Sequence, residues 1–287
     1  MIVEFTSAQL IRIISVWFAI SIISQVLLII WNKKHEKSYQ FTTNCLLWTL
    51  PPIVLLLFNQ TRFSTVWIVF SLLSVTTCYI EISRPAEAET MATTIAWFFF
   101  VHRCSMKFVY LSLIIGFCVF FDIDLLFNST SLQWSHCCST LMSYGFYFGV
   151  INRDLGKLVF DFVDCNIAAA LPIQTPKTNR CSICRISFPV DQQKRPLDGI
   201  LAVHLDGHDC RQLFHDDCLC SWVVVGKKQK CPTCQMIIDC DATFFTRSWE
   251  ISHGLFLDWV SYCILWFPMI SYIVGIIYIY TFIAVDQ

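Results

Sequence analysis

From Ile13 to Trp31 the chain carries no charged side chain, and five further apolar runs follow it: 41–58, 63–80, 108–127, 136–151 and 263–285. A helix of about twenty apolar residues crosses the roughly 30 Å hydrocarbon core of a bilayer with every backbone group paired internally. Six such runs predict a multi-pass α-helical membrane protein. Composition agrees: 56% of the 287 residues are hydrophobic, 15% aromatic and only 14% charged, and the mean hydropathy is +0.59. An ordinary soluble domain is nearer a quarter charged. The net charge of -1 supplies no field for nucleic acid, so no nucleic-acid partner is expected.

The runs differ in detail. No basic cluster precedes the first and no small-residue cleavage site follows it, so it reads as a retained signal-anchor. The second holds Pro51-Pro52, where a kink or break is expected. Asp122 and Asp124 mark the far edge of the fourth. The fifth is short and rich in Gly and Tyr. The aromatic, then basic, segment Thr93 to Lys107 reads as an interfacial stretch or as part of a longer fourth span. Lys and Arg concentrate in the loop "NKKHEK" and between Glu81 and Lys107. By the positive-inside rule these loops are cytosolic, which makes the N-terminus lumenal and puts Asn152 to His253 in the cytosol. Two N-x-Thr sequons, at Asn59 and Asn128, fall in loops assigned to the lumen.

Eight of the sixteen cysteines lie between Cys181 and Cys240, in the most polar part of the chain. The pairs "CSIC", "HDDC" and "CPTC" have metal-ligand spacing, because a tight CxxC turn lets two thiolates share one zinc ion. The candidate ligands are Cys181, Cys184, His208, Cys210, His215, Cys218, Cys231 and Cys234. A cytosolic location disfavours disulfides. Zinc enclosed by four protein ligands is structural, so no catalytic residue is expected. The division is a membrane domain over 1–151, a cytosolic linker over 152–180, a zinc finger over 181–235, a juxtamembrane segment over 236–262 and a last span over 263–285.

The ligand spacing resembles that of a RING finger, a small α/β fold binding two structural zinc ions in a cross-brace. The resemblance implies that Cys181, Cys184, His215 and Cys218 hold the first ion, and that Cys231 and Cys234 hold half of the second. The usual Cys-x-His pair is altered, since Gln212 stands where a histidine is expected after Cys210. Either His208 and Cys210 supply a reversed pair, or the second site is degenerate. In RING fingers the positions of Ile183, Trp222 and Pro232 form an apolar groove that docks a ubiquitin-conjugating enzyme, although the same residues would also fill a small core. Lys227, Lys228 and Lys230 read as a solvated loop face, with attraction to anionic cytosolic lipid or to an acidic partner as the alternative.

The flanks "WNKKHEKSYQ", "YGFYFGVINRDL", "VGKKQKCPTC" and "SWEISHGLFLDW" resemble the RING finger protein 121 and 175 family, from Trp31 to about Tyr278. The resemblance implies a membrane-embedded RING-type E3 ubiquitin ligase of the endoplasmic reticulum or Golgi membrane, its finger facing the cytosol. Its expected partners are a ubiquitin-conjugating enzyme, ubiquitin, membrane-protein substrates and membrane lipid, in quality control and degradation. Gln212, and Gln235 after the last ligand, support the alternative of a membrane scaffold with a degenerate zinc module and no ligase activity. A transporter fits less well, because the spans carry few ionisable residues and no inverted repeat.

Overall fold

The computed structural model describes residues 7–57, 59–84, 88–122, 131–170, 180–188, 214–239, 244 and 247–283. These residues contain seven helices: α1 (Ser7–Lys34), α2 (Glu36–Leu57), α3 (Thr61–Ser83), α4 (Ala88–Phe120), α5 (Ser131–Ala170), α6 (Asp216–Val224) and α7 (Ser248–Ile283). Five of them are long and apolar enough to cross a membrane: α1, α2, α3, α4 and α7. The chain divides into two compact units, one of residues 1–53 with 259–287 and one of residues 54–258.

In the first unit, α1, the start of α2 and the later part of α7 meet through aromatic rings. Trp266 packs edge-on to Trp31 at 5.9 Å and stacks on Tyr39 at 5.8 Å. Trp17 meets Phe267 at 6.3 Å. The break expected at Pro51-Pro52 does not occur, and α2 is continuous across both prolines.

In the second unit, α4 and α5 are the main packed pair. Gly145 and Gly149 lie one turn apart on α5 and allow close approach to α4. A methyl group at Gly145 would sit 2.9 Å from Val109 Cγ2 and 3.1 Å from the Ser105 carbonyl oxygen. Small residues four apart are a common means of helix contact in membranes, where burial from lipid supplies no hydrophobic drive. Ser105 adds a polar tie. Its hydroxyl donates to the Gly145 carbonyl at 2.7 Å and lies 3.1 Å from His253 Nε2 on α7. Phe63 of α3 completes the packing by stacking on Tyr144 at 5.5 Å and meeting Tyr147 at 5.1 Å.

Several boundaries differ from the sequence reading. The fifth expected span, 136–151, lies in the forty-residue α5 and is not among the five strongly apolar helices. Its glycine and aromatic faces are taken up by α4 and α3, so it does not need apolar side chains all round. Residues 152–170, expected to begin a linker, continue α5. Thr93 to Lys107 lies wholly within α4, and most of the expected juxtamembrane segment from Ser248 belongs to α7. At 1.5 Å per residue, α4, α5 and α7 are about 50 to 60 Å long, well beyond a bilayer core. Of the α/β content expected of the finger, the helix α6 is present. Among the described residues the finger has no strand, only isolated bridges between Arg180 and Ser187 and between Lys230 and Ile237.

Candidate metal centre

Two turns of matching geometry carry the CxxC pairs. In the first, Arg185 N–H donates to the Cys181 carbonyl at 2.9 Å and Cys181 N–H donates to Ile186 O at 2.9 Å. In the second, Gln235 N–H donates to Cys231 O at 3.0 Å and Cys231 N–H to Met236 O at 2.8 Å. The residue after the second cysteine takes left-handed backbone in both, with φ of 61° at Arg185 and 60° at Gln235. A tight turn closing on itself requires that conformation, which residues other than glycine adopt at a cost. Gln235 therefore has a backbone role, whatever its side chain contacts.

The first turn meets the start of α6. His215 caps that helix in extended conformation, and its own N–H points at Cys181 Sγ, 3.4 Å away. One turn on, Cys218 faces the same point. His215 Nδ1 lies 3.2 Å from Cys184 Sγ and 3.8 Å from Cys218 Sγ. The ligand atoms of Cys181, Cys184, His215 and Cys218 all lie within 4.8 Å of one another. This donor set fits a metal ion that takes thiolates and imidazole. Hydrogen bonds from Cys184 and then Cys218 hold the Cys181 thiol far below its ordinary range. Hydrogen bonds to Cys181 and then Cys184 raise His215 to about 10. Three thiols and an imidazole converging on one point suit a cation that binds with loss of their protons.

In the second turn Cys231 is buried and Cys234 exposed. His208 and Cys210, the expected partners of that pair, lie outside the described residues, as do Gln212, His204 and Cys240.

The expected docking residues are not on the surface. Ile183 is 0% exposed and Trp222 1%, and Pro232 is buried as well. Ile183 and Trp222 share a core with Met91, Ile95, Phe98 and Phe99 of α4 and with Phe160 and Val163 of α5. Trp222 meets Phe160 edge to face and donates its indole N–H to Lys230 O at 2.9 Å.

Ion pairs join the module to the helices. Arg247 bridges Asp216, Asp217 and Glu250, and Arg103 of α4 reaches Asp217 and Glu250, each at 3.2 Å. Both guanidinium groups lie over the Phe99 ring, at 4.4 and 5.1 Å. Asp216 and Asp217 form the first turn of α6 between His215 and Cys218, so these arginines set the direction of two of the four ligands. On the other side, Lys227 pairs with Asp154 and Asp258 at 2.6 and 2.7 Å, and Lys228 with Asp161 and Asp164 at 2.7 and 2.9 Å. Arg153 forks onto Asp258 at 3.0 and 2.8 Å and donates to Val224 O. Burial lowers the Lys227 ammonium, but Asp154 and Asp258 outweigh it and hold the group above its ordinary value. Lys227 and Lys228 are thus clamps onto α5 and α7, not the solvated face the sequence suggests; Lys230 alone of the three stays exposed.

No motif marks Arg103, Arg247, Glu250 or the acidic face of α5 as part of the site. A signal for them exists: Arg103 and Glu250 sit inside otherwise apolar segments, where an ionisable group requires a partner. No protein-family model and no solved structure matches the chain.

Proposed function

We propose that the chain is a multi-pass membrane protein of the endoplasmic reticulum or Golgi whose cytosolic zinc module acts as a RING-type ubiquitin ligase. The observation that supports this reading is the pair of matching CxxC turns, one of them closed by His215 and Cys218 into a four-ligand cluster. Cys181, Cys184, His215 and Cys218 hold one structural Zn²⁺; His208, Cys210, Cys231 and Cys234 hold the second. Neither ion has a coordination site left for water, so both are structural. The chain supplies no nucleophile. It holds a charged conjugating enzyme near a membrane-protein substrate, and the gain is proximity and orientation. On this reading Ile183, Trp222 and Pro232 receive the conjugating enzyme, which requires that the module first leave α4 and α5.

The burial of those residues favours a second reading, in which the metal centre staples the membrane helices together and transfers nothing. Ubiquitin transfer by the full chain in lipid nanodiscs separates the two. Transfer that is lost in the Cys181→Ser, Cys184→Ser double variant supports the ligase. No transfer with a panel of conjugating enzymes, from a chain retaining its zinc, leaves the scaffold.

A further inference from the structure

Helix residues that pack on the module adjoin exposed apolar ones. Phe98 and Phe99 pack into its core, yet the next residue on α4, Phe100, is 60% exposed in a helix apolar enough to span a membrane. Cys78 packs against the same core, about 8 Å before the end of α3 at helical rise. Tyr79, Ile80 and Ile82 around it are exposed. On α7, Trp249 is exposed beside Tyr110, at 5.9 Å, and such amphipathic rings prefer the membrane interface. A bilayer that covers these exposed residues of α3 and α4 would end against the module.

Among the described residues, the tips of the two CxxC turns carry the module's exposed large apolar side chains: Ile186 at 43%, Met236 at 54% and Ile237 at 70%. Each tip has cations beside it. Arg185 precedes Ile186 and lies within electrostatic reach of Glu81 at the end of α3. Lys230 is bridged to Ile237. Apolar side chains flanked by Lys and Arg suit the lipid headgroup layer, where the chain ends enter the acyl boundary and the cations meet phosphates.

We propose that the metal module is a lipid-contacting element, in which Ile186, Met236 and Ile237 enter the interfacial layer of the membrane crossed by α3 and α4, with Arg185 and Lys230 on lipid phosphates. The metal then fixes two lipid-dipping turns, and the module is held in the headgroup layer instead of projecting into the cytosol. The proposal rests on the reading of α3 and α4 as spans, and is independent of ligase activity.

The test places a photoreactive phenylalanine analogue at Ile186 or Ile237 in the full chain, in nanodiscs of phosphatidylcholine with and without phosphatidylserine. Irradiated peptides are then searched for covalent lipid. Phe100 serves as the positive control and exposed Asp239 as the negative one. Lipid adducts at 186, 237 and 100 but not at 239 are expected, with the yield at 186 and 237 rising several-fold with phosphatidylserine. Adducts at 100 but not at 186 or 237 overturn the proposal and leave the spans intact. No adduct at 100 places the bilayer away from the module and overturns the proposal. Equal labelling at 239 also overturns it, since contact is then unselective. Zinc content is measured on each variant, and Met236 replaces any position at which zinc is lost.

Discussion

Trp222 meets the ring of Phe160 edge to face, with centroids 5.9 Å apart and planes at 84°. One residue belongs to the cysteine-rich module and the other to the forty-residue helix α5, so the module shares its core with the helices. A small metal domain usually relies on its metal because its own core is too small. Here the helices enlarge that core.

Trp222→Ala therefore removes a fully buried ring and an indole hydrogen bond. A loss of about 3–5 kcal/mol is expected, read as a lower thermal unfolding midpoint together with loss of zinc. An unchanged midpoint would assign Trp222 to partner binding alone.

Metal content of the purified full chain is expected to be two zinc ions. Cys181→Ser with Cys184→Ser should leave one, because Cys231 and Cys234 belong to the other turn. His208→Ala should also leave one if the reversed His208–Cys210 pair completes the second site. Elemental analysis decides, and a single ion in the unmodified chain would mark the second site as degenerate.

Arg247→Ala should weaken the first site without touching a ligand. Asp216 and Asp217 lose a cation that fixes the first turn of α6, and outer contacts of this kind typically change metal affinity by about 10- to 100-fold. Chelator competition measures it. Arg247→Lys should recover only part, since one ammonium cannot match the fork onto three carboxylates.

The pH dependence of the Lys227 clamp has a definite sign. Its folded value is raised, so the stability it contributes is fully present below the ordinary lysine range and is lost as pH rises through the higher folded value. Lys227→Met should cost about 1.5–3 kcal/mol at neutral pH, the usual range for a hydrogen bond between charged groups. The difference from the unmodified chain should shrink only at strongly alkaline pH. Denaturant unfolding in detergent across pH 7 to 11 checks this.

Gly149→Val should disrupt the α4–α5 contact, because its added side chain meets Ser105 and Leu257. Overpacking of this kind costs about 1–3 kcal/mol or more. A shift of the unfolding midpoint shows it, and Gly275→Ala, with open space around it, should leave the midpoint unchanged.

The apolar runs and the CxxC spacings were legible in one dimension because their physics is local. An uncharged run must become a helix in lipid, and two thiolates with two residues between them reach one ion whatever surrounds them. That Cys181 and Cys184 share a site with His215 and Cys218 was implied by the resemblance to RING fingers and not by spacing, and the four lie together. The exposure of Ile183 and Trp222 could not be read this way, since a groove and a core use the same side chains. Only the packing of α4 and α5 against them decides. The same holds for Lys227 and Lys228, which become clamps because Asp154, Asp161 and Asp164 share one face of a helix that the sequence suggested would end sooner. By itself, then, the sequence determined which segments suit a membrane and which side chains suit a metal. Tertiary structure decided that the metal cluster is seated on the helices, because burial and ion pairing depend on partners distant in sequence.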